Sequence, residues 1–169
     1  MLFVLIAIVL AAVGADQLTK YLIFGHDMPF IKGVIRFASV ENRGMVWGLM
    51  NGVNGFTVVI CVFTAIVIAV ISWLVVKYRS KMTKLMQICF ALIIGGAIGN
   101  LIDRIALGYV RDFFCTEFIQ FPVFNVADIF VTCGGILLGI LLLFTKQGHE
   151  FFNAVFPEEQ KKKKPAEDK

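Results

Sequence analysis

Among the polar residues in or beside the long apolar runs of this 169-residue chain, eight can sit at one membrane depth: Asp16, Lys20, Asn100, Asp103, Arg104, Asp112, Asn125 and Asp128. Ionisable groups at membrane depth are expensive, so their presence is a reason to look for a function. The chemistry they offer is acid–base chemistry of carboxylates. Two carboxylates held close cannot both ionise easily, so one keeps a proton. Such a pair can activate a water as general base and protonate a leaving amine as acid. Its titration belongs to the pair. Spacing alone leaves Asp103 and Asp112 equally able to join Asp128.

Other chemistries find little support. Serine occurs only at Ser39, Ser72 and Ser80, and there is no GxSxG, HExxH or phosphate-binding glycine loop. His26 and His149 are far apart, and Cys61, Cys89, Cys115 and Cys133 show no CxxC spacing. The expectation is no metal and no disulfide framework, with the cysteines as small apolar residues and Cys115 alone in a polar loop.

Structural roles compete with catalytic ones at each position. Asp16 and Lys20 are four residues apart, which places them on one helix face as an ion pair. Within lipid such a pair neutralises itself and tethers its helix to neighbours. Gly96, Gly99 and Asp103 share a helix face, as do Asn100, Asp103 and Arg104. Small residues admit another backbone, and polar ones then bond across, with Asp103–Arg104 as glue. Alternatively, Asn100 and Arg104 clamp a substrate backbone. Asn125 and Asp128 open a helix behind Pro122, where an acid also favours the helix dipole.

The elements that must position these groups are helices. Hydrophobic residues make up 59% of the chain, against about 45–50% in soluble domains. The excess is concentrated in four runs, roughly residues 2–24, 56–76, 85–107 and 124–145, each near the ~20 residues needed to cross ~30 Å of hydrocarbon. Val13-Gly14-Ala15 resembles a signal cleavage site, but no Lys or Arg precedes the first run, so it reads as a retained helix. Residues 25–55 are rich in glycine and β-formers, and residues 108–123 form a shorter, Phe-rich loop on the same side. Lys77, Arg79, Lys81 and Lys84, with no acid among them, place the loop between runs two and three in the cytoplasm.

The expected fold is an all-α membrane protein of four transmembrane helices, with a small extracytoplasmic β-structure between helices 1 and 2. Residues 1–146 form the membrane domain. Residues 147–169 form a charged cytoplasmic tail with one amphipathic patch, Phe151-Phe152 with Val155-Phe156. With net charge +4 and a Lys161–Lys164 run, the tail suits anionic headgroups or solvent rather than nucleic acid. Both termini are cytoplasmic, and span order brings these eight polar groups to the outer leaflet boundary.

These residues also carry a resemblance. Asp16-Gln17-Leu18-Thr19-Lys20, Asn42-Arg43-Gly44 with Trp47-Gly48, Gly99-Asn100-Leu101-Ile102-Asp103-Arg104, Val110-Arg111-Asp112-Phe113 and Phe124-Asn125-Val126-Ala127-Asp128 follow in order over about residues 1–146. Together they resemble bacterial lipoprotein signal peptidase, the signal peptidase II family. The resemblance implies an aspartic endopeptidase of the bacterial inner membrane that needs no cofactor. It would remove signal peptides from diacylglyceryl-modified prolipoproteins, cutting before the lipidated cysteine, with globomycin-type cyclic peptides as inhibitors. Carried over, the catalytic dyad is Asp112 and Asp128. Asn42, Gly44, Asn100, Asp103, Arg104 and Asn125 line and order the site, Asp16 and Lys20 form a supporting polar pair, and Asp103 beside Arg104 stays ionised. The expected state is a monomer in contact with membrane lipid. Two departures stand out: Met45-Val46 before Trp47, where the family often has two alanines, and Arg111 in place of an apolar residue.

The competing function is a small ion- or proton-translocating four-helix protein. A conduction path needs polar groups across the whole bilayer, whereas here they stop near one surface. A non-catalytic assembly factor is the third alternative.

Overall fold

The computed structural model describes residues 2–44 and 55–157. Met45, Val46, Trp47, Gly48 and the Lys161–Lys164 run lie outside the described residues. Four helices carry the bulk of the chain: α1 (Leu2–Ile23), α2 (Phe56–Tyr78), α3 (Lys84–Leu107) and α4 (Val126–Phe144), each long and apolar enough to cross a membrane. Their ends follow local chemistry. Thr83 caps α3 by accepting from the Met86 N–H. Gly108 ends α3 at φ 81°, a left-handed conformation that glycine adopts without strain, and returns its N–H to the Arg104 carbonyl. The helix surfaces are apolar and outward-facing, as at Phe3, Phe63, Ile105 and Leu143. Among lipid tails such surface supplies no drive for helices to associate, so close packing and interhelical polar bonds must hold them.

Glycine provides that packing around α3, the central helix. A Cβ at Gly95 would stand 2.7 Å from the Ala12 Cβ, and one at Gly99 would stand 2.5 Å from Asp16 Oδ2, both on α1. A Cβ at Gly96 would stand 2.5 Å from the Ala127 carbonyl oxygen of α4. Two adjacent glycine faces on one helix thus seat two neighbours, and each contact brings in an acid-bearing segment.

At the polar end, β1 (Met28–Ile31), β2 (Ile35–Asn42) and β3 (Val110–Thr116) form an antiparallel sheet in the order β1-β2-β3. The sequence led to β-structure between α1 and α2. The Phe-rich loop after α3 turns out to supply the third strand. Its consecutive Phe113-Phe114 hides the alternation that marks a half-buried strand. A register shift between Phe37 and Val40 sets Val40 opposite Asp112. The segment after β3 turns back, and Phe124 bridges to Phe114 by paired backbone bonds of 2.8 and 3.1 Å. Phe37, Phe113, Phe114 and Phe124 stack around this junction.

The opposite end is an apolar core of Leu5, Val75, Met82, Met86, Phe90 and Leu138. Residues at the start of the expected tail form a fifth helix, α5 (Lys146–Val155), which docks there. Phe151 is buried between Tyr78 and Phe90. Phe151→Ala should therefore cost about 3 kcal/mol of stability. A thermal melt in detergent checks this.

Candidate active site

The first element of the site is a buried charge cluster. Asp16, Lys20 and Asp103 are fully buried. The Lys20 ammonium lies 2.9 Å from Asp16 Oδ2 and 3.3 Å from Asp103 Oδ2. Asp16 also reaches α4: its Oδ1 accepts the Ala127 N–H at 2.9 Å, satisfying one of the orphan donors of that helix start. The ion pair read from the i, i+4 spacing is present, and it ties three helices together.

Asp103 is paired differently from its sequence neighbourhood. Asp103 bonds across to other elements rather than to its neighbour Arg104, since successive helix residues point in different directions. Asp103 instead takes a fork from Arg111, with Nη2–Oδ1 at 2.8 Å and Nε–Oδ2 at 3.2 Å, and the Arg111 backbone N–H at 2.9 Å. Gln17 completes the set, donating to Asp103 Oδ1, Asp16 Oδ2 and the Gly99 carbonyl and accepting from Arg111 Nη2. Motif spacing alone does not single out Gln17; the signal it does carry is its i, i+3 relation to Lys20, which puts both on one side of α1.

The second element is a pair of carboxylates held by asparagines. Asn125 Nδ2 donates to Asp112 Oδ1 at 2.6 Å, and Asn42 Nδ2 donates to Asp112 Oδ2 at 3.0 Å. Asn42 reaches Asp112 because it lies two residues beyond Val40, the strand partner of Asp112, and so projects from the same face. Gly44 orients Asn42 by donating its N–H to Oδ1 at 3.1 Å, which turns the amide NH2 toward Asp112. Asp128 is held by Asn100 Nδ2 at 2.8 Å and by the Asn125 backbone N–H at 3.0 Å. Asn125 in turn caps the Asp128 N–H, a reciprocal capping box.

Lys20 determines which way these amides face. Its ammonium donates to Asn100 Oδ1 at 2.9 Å, so the Asn100 NH2 must turn to Asp128. Asn125 Nδ2 also donates to that Asn100 oxygen, at 3.0 Å. The charge cluster and the carboxylate pair are therefore one hydrogen-bonded system. Asp112 is pushed up to about 7 by burial first and by the Asp128 charge second, while the bonds from Asn42 and Asn125 act against the rise.

Asp112, Asp128, Asn100, Arg104 and Asn42 line a cavity of about 1230 Å³. It runs between α2 and α4 under β3 and the Phe118–Phe124 segment, with walls that are largely apolar. Arg104 turns toward the Gly44 carbonyl at 3.5 Å. Asp103, Asp16 and Lys20 sit behind the wall and do not border the cavity. The arrangement places two buried carboxylates, linked through Asn125, on the wall of one largely apolar trough. A cation stands at its rim.

Comparison with known proteins adds to this picture. Residues 8–144 match the family described as signal peptidase (SPase) II. The chain is 43% identical over 145 residues to a lipoprotein signal peptidase of Caldanaerobacter subterraneus subsp. tengcongensis, covering 82% of this chain and 95% of the relative. It is 39% identical over 146 residues to one from Clostridium acetobutylicum, covering 80% and 92%. Two solved structures, described as bacterial membrane enzymes, share the fold. One has a TM-score of 0.74 at 31% identity, covering 86% of this chain and 96% of the other. The second has a TM-score of 0.71 at 27% identity, covering 100% and 96%.

Proposed function

This chain belongs to the signal peptidase II family, and we propose that Asp112 and Asp128 are the dyad with which it removes signal peptides from diacylglyceryl-modified prolipoproteins. It is a multi-pass membrane peptidase. The observation that carries the assignment is the shared cavity: Asp112 and Asp128 open onto it, joined through Asn125, whereas Asp103 is enclosed by Gln17, Lys20 and Arg111.

The reaction follows from that geometry. The ionised member of the pair takes a proton from water, which attacks the scissile carbonyl. The protonated member first polarises that carbonyl and later protonates the departing amine. Asn42, oriented by Gly44, holds the carboxylates in place together with Asn100 and Asn125, and Arg104 orients the substrate backbone at the rim. The apolar trough receives the acyl chains, so cleavage falls before the lipidated cysteine. Globomycin-type cyclic peptides would occupy the same trough.

The membrane arrangement that suits this chemistry has the site near the outer leaflet of the bacterial inner membrane and both termini in the cytoplasm. Residues 1–146 form the catalytic unit, which works as a monomer in contact with lipid. Residues 147–169 form a cytoplasmic tail whose first turns dock back on the bundle.

Purified protein in detergent, given a diacylglyceryl-modified prolipoprotein and followed by gel mobility, tests the reading. Wild type should release the signal peptide, while Asp112→Asn and Asp128→Asn should not, with folding intact. Full activity in either variant overturns the dyad. An inactive wild type that instead conducts protons in liposomes would favour the translocating alternative.

A further inference from the structure

We propose that Arg111 is a positioning residue that balances the charge cluster behind the dyad and thereby sets the pH range over which the dyad works. The proposal rests on the dyad reading above. The cluster contains two buried carboxylates, Asp16 and Asp103, and one buried ammonium, Lys20. By themselves these leave one negative charge uncompensated beneath the active site. Arg111 supplies the missing cation, with its guanidinium on Asp103 at 2.8 Å and a second contact at 3.2 Å. It is the least buried member, with a side chain 19% exposed, so it gains the pair without being wholly withdrawn from solvent.

Two routes carry this to the dyad. The first is geometric. Arg111 directly precedes Asp112 on β3, and neighbouring strand residues point to opposite faces. Locking Arg111 against α3 through its side chain and its backbone N–H fixes the face that Asp112 presents to the cavity. The second is electrostatic. Lys20 is shared among Asp16, Asp103 and Asn100, and Asn100 holds Asp128. With Arg111 neutralising Asp103, the Lys20 charge remains available to Asp16 and to the dyad. Without it, a net negative charge stands behind two acids that must share one proton, and both ionisations become harder.

Other charged and titratable groups surround the dyad. Lys20 and Asp16 act on it from α1 and Arg104 from α3, while Cys61 of α2 and Asp103 of α3 act on Arg104. Glu41 of β2, Cys115 and Glu117 from β3 and its following loop, and Cys133 of α4 line the cavity. Substitution of Arg111 leaves all of them in place, so a shift can be assigned to the missing charge.

The test is the pH dependence of kcat/KM for prolipoprotein cleavage, with thermal melts confirming folding. Arg111→Gln keeps a polar contact to Asp103 and removes the charge. Both limbs of its profile should move to higher pH by about one unit, the scale of one unit charge at an effective dielectric of about 20, and the rate at the optimum should fall roughly tenfold. Arg111→Lys restores the charge without the fork. Its limbs should return to the wild-type position while the optimum stays depressed. Asp103→Asn with Arg111→Gln removes one charge of each sign and should move the limbs back. A uniform loss across pH in Arg111→Gln, or an unshifted profile, overturns the proposal; if that variant does not fold, limbs displaced in Arg111→Lys overturn it. In each case inactive Asp112→Asn and Asp128→Asn leave the dyad reading standing, whereas activity in either of those removes its basis.

Discussion

Asp112→Asn loses cleavage by about 10²- to 10⁴-fold, the range expected when a general acid or base is removed, yet it gains stability relative to wild type as pH rises. The sign follows from linkage. The Asp112 carboxyl titrates near 7 in the fold against an ordinary value of 3.8. Below about pH 4 it is protonated in both states, and its contribution to stability is intact. Between there and 7 the unfolded chain sheds the proton while the folded protein retains it, so stability falls with rising pH. The full loss, at most about 4 kcal/mol, is reached above 7. Asparagine has no such titration. It carries a separate cost, because its amide NH2 must face a donor from Asn42 or Asn125, but that cost does not vary with pH. Melts of both proteins in one detergent at pH 5 and pH 8.5 should show the difference widening in favour of the variant, by about 2–3 kcal/mol. A difference that stays constant would mean that Asp112 is ionised throughout.

Asp103→Ala should show the opposite pattern in stability. Asp103, itself fully buried, accepts once from Gln17 and three times from Arg111 and pairs with the buried Lys20. Removing it strands the Arg111 guanidinium and leaves Gln17 without one partner. Breaking a buried ion pair from one side costs about 3–5 kcal/mol. The melting temperature should drop steeply at every pH where the protein is folded, and activity should fall with it. The two acids are then separable by a simple pair of measurements, since one variant is inactive and stable and the other inactive because it is unstable. An Asp103→Ala protein that melts with wild type would show that the cluster contributes little to folding.

Much of this was legible without coordinates. Four apolar runs of membrane length, the i, i+4 pair of Asp16 and Lys20, and delivery of every polar segment to one end follow from helix rise and span order alone. These are local or additive properties, and a hydrophobic run commits to a helix in lipid because its backbone has no other partner there. What the tertiary structure decided is which acids border one cavity. Asp103 and Asp112 were equivalent by spacing, and the family resemblance chose between them. In the fold, Asp103 turns into the Lys20–Gln17–Arg111 cluster while Asp112 borders the cavity with Asp128. That division depends on contacts distant in sequence: the glycine faces of α3, the shifted register of β2 on β3, and the Phe114–Phe124 bridge that sets β3 against the start of α4. The role of Arg111 was hidden for the same reason. Its charge has meaning only beside an acid one helix away, and no periodicity along the chain encodes which side chains will share a buried proton or cancel a buried charge.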